Sequence, residues 1–224
     1  MIRAVVFDFD GVLANSEPLH FRAFRDVLAD DAIPLSEAAY YSRYLGFDDV
    51  GAFRAIAADT NTPLDASRLA RWVAQKARRL EEIEQHVSVL FPGARAAIER
   101  LAALGPIAIA SGALRAEIER VLDREGLRRY FPVLVAAEDT PASKPDPAPY
   151  ALAVTLLESR HGERLNAAEC VAIEDSRWGL QSARAAGLRT IAITNSYPSE
   201  ELRDADLVVD HLDAVTAELL HGLA

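Results

Sequence analysis

Six short apolar runs recur along the chain: IRAVVF at 2–7, PIAIA at 106–110, PVLVAA at 132–137, CVAI at 170–173, TIAIT at 190–194 and DLVVD at 206–210. They are rich in β-branched residues and carry no polar alternation, so each must be covered on both faces. Stretches with helical spacing lie between or beside them, at about 94–104, 114–125, 147–160, 177–186 and 213–220. Strands alternating with helices in this way specify an α/β fold, a Rossmann-like parallel sheet wrapped by helices. Gly105, Gly126 and Gly187 fall where the helices are expected to end.

One region breaks the alternation. Residues 15–88 show helical periodicity throughout and contain no convincing strand, and FPG at 91–93 closes the interval. We read this as a helical cap inserted directly after the first strand, which divides the chain into a core of 1–14 and 89–224 and a cap of 15–88. Within it, SEPLHFRAFRDVLAD and DASRLARWVAQKARRLEEIEQ set charged faces against apolar positions such as Leu69, Val73 and Leu80. The basic run Arg68, Arg71, Lys76, Arg78 and Arg79 is followed at once by Glu81, Glu82 and Glu84, which predicts an exposed, salt-bridged face. Trp178 is expected to pack against the sheet or the cap.

Composition narrows the function classes. Half of the 224 residues are hydrophobic, enough for a full core, and the net charge is −10. Such a balance argues against a nucleic-acid partner or an anionic-membrane surface, and an anionic substrate would need a metal or local cations. Cys170, the only cysteine, lies inside an apolar run and reads as a small buried hydrophobe. The sequence shows neither a leader pattern nor 18 consecutive apolar residues, so a cytoplasmic protein is expected.

The polar residues of interest sit at the ends of the apolar runs. Asp8 and Asp10 follow the first, Ser111 and Gly112 the second, Lys144 the third after a short loop, and Glu174 with Asp175 the fourth. In an open α/β sheet the ligand crevice lies beyond the carboxyl ends of the strands, so groups far apart in sequence converge there. Packed carboxylates repel one another unless a cation sits among them, and hard oxygen donors suit magnesium. Lys144, the Ser111 hydroxyl and backbone N–H groups around Gly11 and Gly112 are suited to hold phosphoryl oxygens. Taken singly, each feature has a plainer account. A DxD pair is often a solvated turn, Ser-Gly a common strand-to-helix turn, Lys-Pro a helix start, and Glu-Asp-Ser an N-cap cluster. Their coincidence at four strand ends is the informative fact.

DFDGVLANSEPLH, IASGA, SKPDPAPY and IEDSRWGLQSARAAG, taken in order, resemble the four motifs of the haloacid dehalogenase-like hydrolase superfamily. The likeness is greatest to its beta-phosphoglucomutase and phosphoglycolate phosphatase-like branch, whose members carry a helical cap. The resemblance implies that Asp8 is a nucleophile forming an aspartyl-phosphate and that Asp10 is the general acid and then the base. It also implies that magnesium is held by the Asp8 side chain, the Asp10 carbonyl and the Glu174–Asp175 pair, with Ser111 and Lys144 on the phosphoryl group.

A magnesium-dependent phosphatase of a small phosphorylated metabolite, such as a sugar phosphate, is the expected function, acting as a monomer or weak dimer. A phosphosugar mutase is the alternative. Against it, the resembling mutases carry Gly-Val-Ser-Arg early in the cap, where this chain reads RYLGFDDVGAF at 43–53 and places Asp48 and Asp49 instead of a cation. A phosphorylation-switched receiver module fits less well, because receivers are shorter and take phosphate on the third strand. A metal-free dehalogenase has no need of Asp10 or of Glu174 and Asp175. Candidate substrate-facing residues in the cap are His20, Arg43, Phe47, Asp48 and Asp49. His86, His161, His211 and His221 show no metal-ligand spacing and are expected at the surface.

Overall fold

Each apolar run becomes a strand, and the polar or glycine-bearing residues around it end the strand. In the computed structural model, which describes residues 2–44, 47, 49–85, 87–162 and 164–223, β1 spans Ala4–Phe7 and is followed by helices α1 (Glu17–Asp30), α2 (Glu37–Arg43), α3 (Asp49–Asp59) and α4 (Ala66–Glu84). Then come α5 (Ala94–Ala102), β2 (Ile107–Ala110), α6 (Arg115–Arg124), β3 (Val133–Val135) and α7 (Ala148–His161). The chain continues through β4 (Cys170–Glu174), α8 (Arg177–Ala185), β5 (Arg189–Ile193), β6 (Leu207–Val209) and α9 (Ala217–Gly222). Two units result, Met1–Asn15 with Leu90–Ala224, and Ser16–Val89.

In the first unit the strands form one sheet in the order β3-β2-β1-β4-β5-β6, with every neighbouring pair parallel. Alternate residues along a strand face opposite sides. One face carries small side chains, Ala4, Val6, Ala108, Ala110, Cys170 and Ala172, which lie in one buried cluster with Tyr150, Ala153 and Leu157 of α7. The opposite face carries the bulkier Val5, Phe7, Ile107, Ile109, Val171 and Ile173, all buried, and Phe7 meets Phe131 edge to face at 6.0 Å. Each such side chain contributes about 1.5–3 kcal/mol by leaving water. Cys170 belongs to this core, and burial pushes its thiol up to about 11, the inert behaviour expected of it.

Strand order fixes where a site can form. Chain succession runs outward from β1 to one edge through β2 and β3, and to the other through β4, β5 and β6. The reversal lies between β1 and β4, so the crevice of this sheet opens beyond their carboxyl ends. Asp8 and Glu174 stand at those two ends.

Gly126 and Gly187 take the left-handed conformation of a helix terminator, at φ 66° and 87°. Gly105 does not. A Cβ there would lie 2.7 Å from the carbonyl oxygen of Arg3, so close backbone approach explains that glycine. The last helix starts later than its spacing suggested, because a 3-10 turn at Leu212–Ala214 precedes it. Trp178 is also placed differently from expectation: it is half exposed, with the Arg177 guanidinium over its ring at 5.2 Å.

The second unit has its own apolar centre of Phe24, Tyr40, Phe53, Ile56 and Trp72. Phe53 stands 4.8 Å from Phe24 and 5.3 Å from Trp72, ring to ring. The basic run on α4 does not form the simple exposed face expected of it. Arg68 and Arg71 reach Asp31 beyond α1 at 2.9 and 3.0 Å, Arg79 pairs with the following acid Glu82, and Lys76 points inward at 2% exposure. A buried ammonium requires partners. Lys76 donates to Asp49 at 2.7 Å and to Nδ1 of His20 at 3.0 Å, which leaves the imidazole proton on Nε2.

Candidate active site

The acid turn after β1 is held by its own backbone. The amide of Asp8 donates to the Ile173 carbonyl at 2.9 Å, which extends the β1–β4 ladder by one residue and fixes the Asp8 Cα. Phe9 turns inward at 2% exposure, between the buried Asp8 and the exposed Asp10. The carbonyl of Phe9 accepts from Leu13 and Ala14, both at 2.9 Å, and Gly11 donates to Ala14 at 2.9 Å. Gly11 has φ 78°, and a Cβ on it would lie 1.8 Å from Oδ2 of Asp175. Glycine is therefore required both by the turn and by the carboxylate packed against it.

Asp8, Glu174 and Asp175 are buried, and one carboxylate oxygen of each lies within 4.8 Å of the others. Lys144 bridges two of them, with Nζ 2.8 Å from Oδ1 of Asp8 and 2.6 Å from Oε1 of Glu174. Glu174 is fully buried and takes two hydrogen bonds at Oε1, from Lys144 and from the Tyr150 hydroxyl at 2.7 Å. Its Oε2 accepts from the amides of Asp175 and Ser176 and from the Ser176 hydroxyl, at 3.1, 3.3 and 3.1 Å. Ser176 also caps α8 by accepting from Gly179. A Cβ on Gly179 would stand 1.8 Å from Oε1 of Glu174, so the helix can begin here only with glycine in that place.

Three formal negative charges against one positive leave this cluster short of cation. Burial first, and then Glu174 and Asp175, hold the Asp8 carboxyl well above the usual carboxylate range, although Lys144 pulls it down. Asp175 is pushed up to about 6 by burial and by Glu174. Lys144 is buried, which alone would lower its pKa, yet Asp8 and Glu174 outweigh burial and raise it. Tyr150 is raised by burial and by the same acids, so its hydroxyl stays protonated and donates. An all-oxygen set of three buried carboxylates is one that a hard divalent cation such as magnesium fits.

The remaining expected residues divide by unit. Ser111 is buried at the end of β2, where its amide extends the ladder to Val135 and its hydroxyl accepts from Ala113 at 3.0 Å. Gly112 follows it, exposed. Asp10 is exposed and bridges to Ala14. His20, Arg43, Phe47 and Asp49 belong to the helical unit. There Arg43 pairs with Asp59 at 2.5 Å, Asp49 holds Lys76, and Phe47 is 54% exposed. Asp48 and His86 lie outside the described residues, while His161, His211 and His221 are exposed.

Three polar groups at the core site had no role assigned from sequence: Tyr150, Asn195 and Ser196. Tyr150 lies within SKPDPAPY, six residues after Lys144, and Asn195–Ser196 follow β5 after Thr194. The strand-end rule that selected the other loops covers the last two as well.

A family model described as haloacid dehalogenase-like hydrolase matches residues 2–187. A phosphoglycolate phosphatase of Yersinia pseudotuberculosis is 32% identical over 221 residues, covering 96% of this chain and 89% of that one. Hexitol phosphatase B of Escherichia coli is 31% identical over 226 residues, covering 99% and 97%. Among solved structures, CbbY from Rhodobacter sphaeroides in complex with phosphate superposes with a TM-score of 0.79 at 26% identity, covering 99% of this chain and 100% of that one.

Proposed function

The chain belongs to the haloacid dehalogenase-like hydrolase family, and on that premise we propose that it is a magnesium-dependent phosphatase of small phosphorylated metabolites, sugar phosphates among them, working through an aspartyl-phosphate on Asp8. The observation that carries this reading is the lysine bridge: one buried ammonium, 2.8 Å from Asp8 and 2.6 Å from Glu174, placed where the sheet order reverses.

Asp8, Asp175, Glu174 and the Asp10 carbonyl are the groups that would hold magnesium, which when bound supplies positive charge to keep Asp8 ionised and to balance the phosphoryl oxygens. Lys144 and the Ser111 loop would then bind the remaining phosphoryl oxygens. An oxygen of Asp8 attacks phosphorus, the ester P–O bond breaks, and Asp10 gives its proton to the departing alkoxide. Asp10 next takes a proton from water, the water oxygen bonds to phosphorus, and the P–O bond to Asp8 breaks to release phosphate. Lys144, 2.8 Å from Asp8, favours the ionised, attacking form of that acid, while the proton-carrying role of Asp10 rests on the family likeness of the DFDG turn.

The helical unit is read as the cap that selects the substrate. Its two connections, at Asn15–Ser16 and Val89–Leu90, join a core segment in which Asp10 bridges to Ala14 and Ala14 to Leu90. A mutase would have to hold a second phosphate, yet the buried cation of this unit, Lys76, is already paired with Asp49. That pairing supports hydrolysis over isomerisation.

A panel of phosphorylated metabolites assayed with magnesium for released phosphate tests the reading, with glucose 1-phosphate conversion followed in parallel. Phosphate release is expected from several esters, with loss of at least about 1,000-fold in Asp8→Asn, whose amide is a poor nucleophile. Isomerisation outpacing release would reverse the assignment, and full activity in excess chelator would remove magnesium from it.

A further inference from the structure

The strand ends invoked so far belong to β1, β2, β3 and β4. Beside β4 in the sheet, β5 ends at Ile193, in register with Glu174 through Ala192, and leads directly into Thr194-Asn195-Ser196. These three side chains each tie a different strand end to this loop. Thr194 Oγ1 donates to Asp210 at 3.0 Å after β6, Asn195 Nδ2 donates to the Gly11 carbonyl at 2.8 Å, and Ser196 Oγ donates to Oδ2 of Asp175.

Gly11 and Asp175 are the contact between the two acid loops, since no Cβ fits between them. The Asn195 and Ser196 bonds therefore clamp both sides of that contact from a third loop. Ser196 matters more for a cation. Its hydroxyl occupies Oδ2 of Asp175, which leaves Oδ1 for the metal and fixes the rotation of the carboxylate about its Cβ–Cγ bond. Partners of this kind orient metal ligands, and their loss typically weakens metal affinity about 10–100-fold.

We propose that Asn195 and Ser196 form a fifth loop of the active site, with Ser196 a positioning residue that aims the Asp175 carboxylate and Asn195 one that pins the acid turn at Gly11. The proposal rests on the magnesium site described above and adds to it residues that touch neither metal nor phosphate.

The test is calorimetric titration of magnesium into the purified full chain, alongside phosphate release as a function of magnesium concentration. Ser196→Ala is expected to weaken magnesium binding about 10-fold, and to recover most of its activity when magnesium is raised to saturation. Ser196→Thr keeps the donor oxygen and is expected to bind within about 2-fold of wild type, a rescue that loss of packing alone would not give. Asn195→Ala is expected to weaken binding by a smaller factor, because it releases the turn and not the ligand itself. Melting temperatures of the variants report whether each is folded. Equal magnesium affinity in Ser196→Ala and wild type would overturn the positioning role, and so would a threonine variant as impaired as the alanine one. A wild-type protein that binds magnesium yet hydrolyses no ester would overturn the phosphatase reading alone, while one that binds none would overturn both.

Discussion

If Asp175 holds magnesium, as proposed, removal of the metal should make this acid a liability whose size depends on pH. In the folded chain its carboxyl is pushed from 3.8 to about 6, by burial first and by Glu174 second. An acid with a raised folded pKa binds its proton more tightly folded than unfolded. Its contribution is thus fully present below about pH 4 and is lost as pH rises to about 6, after which the deficit is constant. A shift of about two units corresponds to about 3 kcal/mol, or about 6–12 °C of melting temperature for a chain of this length. Asp175→Asn removes the ionisation while keeping the shape. Urea unfolding of both proteins in excess chelator, from pH 4 to pH 8, should therefore show wild type losing about 3 kcal/mol relative to the variant across this window. Neutralising one of three mutually repelling acids also eases ionisation of Asp8, which adds with the same sign. Addition of magnesium at pH 7 should reverse the ranking, since only the carboxylate balances the cation. A wild-type-minus-variant difference that is flat, or that rises with pH, would refute the claim that burial and the neighbouring Glu174 raise Asp175.

Three further outcomes follow from the same geometry. Asp10→Asn should lose about 100-fold or more on alkyl phosphates and much less on aryl phosphates, whose leaving groups need little protonation; equal losses on both would rule out the acid role. Gly179→Ala puts a methyl group 1.8 Å from Oε1 of Glu174. It should cost about 3 kcal/mol in urea unfolding by displacing a buried paired charge, and an unchanged midpoint would contradict the packing described. Alanine at Phe47 or Asp49 should lower kcat/KM for the best metabolite far more than for p-nitrophenyl phosphate if the helical unit selects substrate, whereas parallel losses would show that it does not.

The sheet was legible because its strands are apolar on both faces, so Val5 to Phe7 or Val171 to Ile173 admit few other readings. The core site was legible for a related reason. A buried run that ends in Asp8 or Glu174 must place a charge where the sheet stops, and the reversal of strand order brings those ends together. Asn195 and Ser196 obey the same rule, but Thr-Asn-Ser after a strand also describes an ordinary turn, and nothing local shows that its side chains reach Gly11 and Asp175. Lys76 was misplaced because a dense basic run masks the face of α4. Spacing carried the signal all the same: Trp72, Lys76, Leu80 and Ile83 recur at four, four and three residues, and all are buried. A charge on an apolar stripe calls for a partner, yet which acid answers it depends on how α3 meets α4, which periodicity alone does not contain.

Glu174 shows how the fold converts packing into electrostatic order. Its two oxygens accept from protein donors, two on one side and three on the other, at zero exposure. Its partners come from different layers. Tyr150 reaches it from the apolar cluster of α7, Ser176 from the start of α8, and Lys144 from the loop between β3 and α7. Asp8 and Glu174 together outweigh burial and raise Lys144, which favours its ammonium form, and the loop bearing it is anchored to the sheet. Asp8 and Asp175 are the raised acids of the site, and further positive charge beside Lys144 would lower both. The same tyrosine that fills the core thus donates to the acid that pairs with Lys144, and six residues of sequence separate Lys144 from Tyr150.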